Sequence, residues 1–167
     1  DPNIDGVYFL NSFSWSILSD TATDDQIATM LDVVEKTLKT PYGFKLVSPS
    51  DLGPITNISA TDHYFPGDRE NGGVFKHACM MATSAMLKAA KRVKDPALAQ
   101  RLAAEAWWMI DITVPYRTMK SPFEICGNPR FCTQYNNSET GENIGPMLSG
   151  TATWLILSLM SAFGVEY

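Results

Sequence analysis

The chain has 167 residues, 45% of them apolar and 19% charged, and a formal net charge of −5. That length supports one domain with a real core, or part of one. The acidic balance argues against nucleic acid or an anionic membrane as partner, because both call for a basic surface; a neutral ligand such as a sugar fits better, and any bound anion must be held by local donors. Cys79, Cys126 and Cys132 are odd in number and lack a CxxC spacing, so neither a disulfide framework nor a zinc site is indicated and a reducing cytoplasm is the expected compartment. No leader is read at the start, and the longest apolar stretch, near Leu155 to Phe163, is too short for a bilayer. The sequence opens at Asp1 and stops at Tyr167 directly after an apolar run, so an excised piece of something larger is expected.

In chain order, Ser12 to Ser19 carries Phe13, Trp15, Ile17 and Leu18 around most of its circumference, which predicts a short helix buried on several sides. Thr23-Asp-Asp-Gln26 is a capping box, and Ile27, Met30, Leu31, Val34 and Leu38 recur at helical spacing until Pro41 and Gly43. Lys45 to Val47 suits a short strand. Leu52 to Gly73 is polar and aperiodic, and too long for a plain connector, which marks a functional loop. Val74 to Val93 predicts an Ala- and Met-rich helix with Lys88, Lys91 and Arg92 at its negative end. Asp95-Pro96 supplies an N-cap and N1 proline for a helix to about Thr113. Tyr116 to Gly145 is again long and irregular, and the last helix, about Ser149 to Phe163, is apolar nearly all round and is expected deep in a core. Buried and amphipathic helices thus alternate, about five in all, with long loops between pairs. That is the rhythm of an all-α, α/α toroid whose loops gather at one mouth.

Two segments carry the chemistry. Glu70-Asn71-Gly72-Gly73-Val74-Phe75-Lys76-His77 and Ser149-Gly150-Thr151-Ala152 each run through glycine into a helix start, where unpaired N–H groups and the positive dipole end favour an anion. Each residue also has a plainer role. A lone histidine such as His77 is by default a satisfied core or capping residue, and His63, in a polar loop, is by default exposed. Glu70 and Asn71 suit sugar hydroxyls, but Glu70 could equally pair with Arg69. Ser149 reads first as an N-cap, and Gln134 is a loop amide. Trp15, Trp107, Trp108 and Trp154 could stack on sugar rings, but tryptophans at helical spacing are usually core.

The order of these segments resembles the cellobiose and chitobiose phosphorylases, the family 94 type of glycoside hydrolase. The likeness runs through Leu10-Asn11-Ser12 with Trp15, Thr40-Pro41-Tyr42-Gly43 with Leu46, Tyr64-Phe65-Pro66-Gly67, the segment from Glu70 to His77, and Leu148-Ser149-Gly150-Thr151-Ala152 with Trp154. It covers almost the whole chain in order. The resemblance implies that residues 1–167 are a single partial domain, the C-terminal portion of an (α/α)6 barrel catalysing inverting phosphorolysis of a β-linked gluco-disaccharide or oligosaccharide to a sugar 1-phosphate. Phosphate there replaces the activated water of an inverting hydrolase, so one carboxyl group suffices, as general acid.

By similarity His77, Ser149 and Gly150 hold phosphate, Glu70 and Asn71 contact the sugar, and Gln134 lies beside the reacting centre. Phosphate is a co-substrate, and no metal or organic cofactor is implied. Ser149 stands where threonine is common, and Ala60 where the cellobiose enzymes carry an acceptor-binding glutamate, which argues against cellobiose itself. No residue here matches the family's aspartate general acid or its two phosphate-binding arginines, which lie upstream of the matching region. The chain alone is therefore expected to be inactive, and to self-associate or to pair with the rest of the parent enzyme. Two other readings stand beside this one: an (α/α)6 hydrolase with Glu70 as acid or base, and a non-catalytic helical carbohydrate-binding module.

Overall fold

The computed structural model describes residues 8–48, 64–114, 132–145 and 150–165. Among the described residues there are five α-helices: α1 Leu10–Leu18, α2 Asp24–Val33, α3 Lys76–Arg92, α4 Pro96–Thr113 and α5 Gly150–Ala162. A single π turn, Val34–Leu38, prolongs α2. Seven two-residue strands act as clips between them: β1 Tyr8–Phe9, β2 Lys39–Thr40, β3 Gly43–Phe44, β4 Val47–Ser48, β5 Val74–Phe75, β6 Tyr135–Asn136 and β7 Asn143–Ile144. They pair antiparallel as β1–β4, β2–β3 and β5–β6–β7. The fold is all-α.

Local chemistry sets the helix starts. Thr23 Oγ1 accepts from Gln26 N at 3.3 Å while Gln26 Oε1 accepts from Thr23 N at 2.9 Å, closing the expected capping box. Asp95 caps Ala97 N at 2.9 Å and Pro96 opens α4. Strong helix formers with small or pliable side chains build α3, which lets neighbours approach it from several sides. Its Cys79, Met80, Ala82, Ala85, Met86 and Ala89 are wholly buried.

Polar contacts give the helix directions. The ends of α1 and α3 meet where Lys88 Nζ donates to Leu18 O at 2.8 Å and Arg92 reaches Asp20 and Ala22. Their starts meet through Leu46, whose carbonyl accepts from Leu10 N and whose N–H donates to Gly73 O. Along α3 and α5 the partners advance together, Ser84 with Ser158 at 2.8 Å and then Lys91 with Ser161. Likewise Asp24 accepts from Lys94 N at 3.0 Å, and Arg101 bridges Asp32 and Glu35. So α1, α3 and α5 run one way side by side, and α2 and α4 lie parallel to each other on the charged outer side. This is the α/α alternation that the sequence predicted, and the described parts of the long connections, 64–75 and 132–145, pack together at the end where α3 begins.

Five expectations change. Val74 and Phe75 form a strand before α3, because they pair with Asn136 and Tyr135. The segment expected to be irregular up to Gly145 holds the β6–β7 hairpin. The 45–47 strand is displaced into β3 and β4, with Lys45 and Leu46 between them. α1 buries only Leu10, Phe13, Ser14 and Ile17, leaving Trp15 54% exposed, so it is packed on one side; no tryptophan is fully buried. α5 buries only Thr151, Leu155 and Ser158, against α3, and turns Ile156 and then Phe163 outward.

Candidate functional site

The start of α3 is fixed by three attachments. Lys76 N donates to Gln134 O at 3.0 Å, and Gln134 N donates to Gly145 O at 2.9 Å, tying the helix to the hairpin. The turn before β5 folds on itself through Asn71 N to Asp68 O and Gly73 N to Arg69 O, and is bolted to the hairpin by Ser138 N to Gly67 O and Asn137 Nδ2 to Asp68 Oδ1 at 2.6 Å. Gly73 is required there, since a Cβ would stand 2.5 Å from Arg69 N. On the core side, Gly43 lets β3 lie on Val74 and Met109; a side chain there would reach 2.6 Å from Val74 Cγ1. His77 is thereby aimed away from the core.

The imidazole of His77 lies flat on the first residue of α5. A Cβ on Gly150 would sit 2.5, 2.6 and 2.7 Å from His77 Cε1, Nε2 and Nδ1, so only glycine allows the approach. The two segments singled out from sequence thus meet, each at a helix start, and neither helix has an acidic residue in its first turn. Among the described residues no hydrogen bond holds the His77 ring. A cleft of about 210 Å³ opens beside it, lined by Asn11, Leu46, Glu70, Phe75, His77, Ala78 and Met81. A larger hollow of about 480 Å³ lies between the end of α1 and the start of α2, lined by Ser16, Thr21, Ala22, Asp25, Gln26, Thr29 and Met30, remote from these groups.

Glu70 is exposed at the rim of the His77 cleft. No ion pair with Arg69 forms: that guanidinium donates from Nε to Tyr135 Oη at 3.1 Å and lies over the Tyr64 and Tyr135 rings. Asn71 is buried, its Nδ2 donating to Tyr64 O at 3.2 Å. Gln134 reaches the site through its backbone, while its side chain covers Gly145. Ser149, His63 and Ala60 lie outside the described residues. Motif reading also missed the burial of Lys76, one position before His77 and outside the cleft lining. That lysine is 2% exposed, its Nζ donates to Tyr42 O, and burial pulls its pKa down to about 8. A lysine beside an expected helix start reads as surface, and only the β2–β3 turn above it reveals the burial.

These features describe a helical domain with a cleft of mixed polar and apolar lining at the common end of its parallel helices. The chain belongs to the glycosyl hydrolase 94 superfamily, whose catalytic-domain model matches residues 2–162. It is 25% identical to 3-O-β-D-glucopyranosyl-β-D-glucuronide phosphorylase of Paenibacillus borealis over 97% of this chain and 20% of that protein. With cellobionic acid phosphorylase of Neurospora crassa the identity is 36% over 44% of this chain and 9% of that protein. With N,N'-diacetylchitobiose phosphorylase of Vibrio proteolyticus it is 26% over 90% and 18%. The chain spans a fifth or less of the length of these relatives. Among the described residues no helix is long and apolar enough to cross a membrane, and no group of three or more His, Cys, Asp or Glu side chains is arranged to hold a metal ion.

Proposed function

We propose that this chain is a single partial domain, part of the (α/α)6 six-hairpin catalytic barrel of an inverting glycoside phosphorylase acting on a β-linked gluco-disaccharide or oligosaccharide. His77, Gly150 and Ser149 hold phosphate as co-substrate. Glu70 contacts the sugar from the cleft rim, Asn71 shapes the turn that presents it, and Gln134 sets the neighbouring hairpin. The parent supplies the general acid from elsewhere, without metal or organic cofactor. That acid protonates the glycosidic oxygen while a phosphate oxygen attacks the anomeric carbon from the opposite face; the C–O bond to the leaving sugar breaks, and a sugar 1-phosphate of inverted configuration forms. The enzyme works in the cytoplasm, with the outward face of α5 covered by the rest of the parent or by a second copy.

The observation that carries this reading is the imidazole of His77 lying against the Gly150 helix start. Helix starts carry unpaired N–H groups, and an imidazole N–H beside them adds a donor of the kind that a tetrahedral anion takes. Two of the relatives are named for acidic disaccharides, so aldonic and uronic acceptors belong in the substrate panel beside neutral ones. The test uses the full-length protein, with β-linked disaccharides assayed with and without phosphate. Strict phosphate dependence with release of sugar 1-phosphate is expected. Equal product without phosphate would favour the hydrolase, and no turnover with sugar still bound would favour the binding module.

A further inference from the structure

We propose that Lys76 is an electrostatic positioning residue of the His77–Gly150 pocket: a buried ammonium, one residue before the imidazole, whose field strengthens anion binding at the two helix starts. This deepens the phosphate reading above and rests on it.

Lys76 is an expensive residue for the fold. An ammonium at a helix N-terminus faces the positive end of the dipole, and a buried cation without a counter-ion loses hydration that one carbonyl cannot replace. Its surroundings offer no negative charge among the described residues. The titratable groups that face it are Cys79, one turn along α3, and Cys132, just before β6, while the β2–β3 turn offers only the backbone carbonyl of Tyr42. Burial pushes both thiols up, Cys79 to about 11, so they stay neutral at neutral pH. The Lys76 pKa of about 8 leaves the ammonium charged under the same conditions. In a protein interior its field is screened less than that of a surface lysine. An anion beside His77 offsets the cost of burying Lys76, and by linkage the charge of Lys76 tightens the anion. A merely structural tether to Tyr42 O needs no charge.

Steady-state kinetics of the full-length protein, with phosphate and sugar varied independently, separate the two roles. Lys76→Met should raise the KM for phosphate about tenfold and leave the KM for sugar within about twofold, while Lys76→Arg, which keeps the charge, should retain more phosphate affinity than Met. A folded Lys76→Met protein with unchanged phosphate KM, or with both KM values raised together, overturns the inference. If that variant does not fold, the wild type decides: in protein labelled at the lysine Cε, inorganic phosphate should shift the Lys76 titration upward, and a titration indifferent to phosphate overturns the inference. Wild-type turnover without phosphate defeats the phosphorylase reading and this inference together; strict phosphate dependence with an indifferent Lys76→Met protein defeats this inference alone.

Discussion

At its C-terminal end α3 presents Lys88 and Arg92 to Asp20, whereas at its N-terminal end it sets the Lys76 ammonium beside a dipole end of its own sign. The first end obeys the electrostatics of folding. Lys88 and Arg92 suit the negative end of the helix, and their bonds to Asp20, at 2.7 and 2.9 Å, hold a residue in the left-handed region at φ 60°. The hydrogen bond from Lys88, with the charges of Lys88 and Arg92, keeps the Asp20 carboxyl below its usual range. The second end breaks the same rules: α3 begins with no acid in its first turn and no side-chain cap. Charge that helps the fold says little about activity, and charge that works against it points to a ligand.

That contrast predicts a graded series of effects. The largest is expected from His77→Ala in the full-length protein, which on the proposed reading removes a donor to phosphate and should lower kcat/KM for phosphate by about 10²-fold or more. Thermal unfolding should be nearly unmoved, since no hydrogen bond of the ring among the described residues is lost. A collapse of stability with proportionate loss of activity would make His77 structural.

Next comes the pH dependence of stability. Below about pH 8 folding must bury a charged Lys76, whereas the unfolded lysine keeps its proton up to its ordinary value of 10.5. The folded state therefore binds fewer protons between these values, and stability rises with pH across that window, by up to about 3 kcal/mol for this group. Subtracting the unfolding free energies of Lys76→Met from those of wild type between pH 7 and pH 10.5 should expose this slope. A flat difference would mean that the ammonium is not desolvated.

At the closed end effects should be confined to stability. Thr23→Ala opens the capping box and should cost about 1 kcal/mol of stability with unchanged kinetics. Asp20→Asn should have the smallest effect, a slight loss above the usual carboxylate range that disappears as pH falls through the lowered Asp20 pKa and the wild-type carboxylate is itself protonated. An altered phosphate KM in either variant would blur the division between the two ends.

Much of this arrangement was legible in the residues. Thr23, Gln26, Asp95 and Pro96 act within one helix turn, so their caps could be read directly, and the alternation of helix types gave the α/α order. His77 and Gly150 could be paired only through resemblance, because 73 positions separate them and the glycine's role is to be absent where the ring lies. What depended on partners distant in sequence was misread. β5 and the β6–β7 hairpin exist through pairing that no local period announces, and the Lys76 burial depends on a turn 34 residues earlier. α5 reads as a core helix, yet packs only one face within the described chain.

The central claim is that the His77 ring and the α5 start form one anion pocket, and Gly150→Ala tests it most directly, because the added methyl enters the space that the imidazole fills. Measured in the full-length protein, the variant should raise the KM for phosphate at least about tenfold while the KM for sugar stays within about twofold. An unchanged phosphate KM in a folded Gly150→Ala protein would contradict the account.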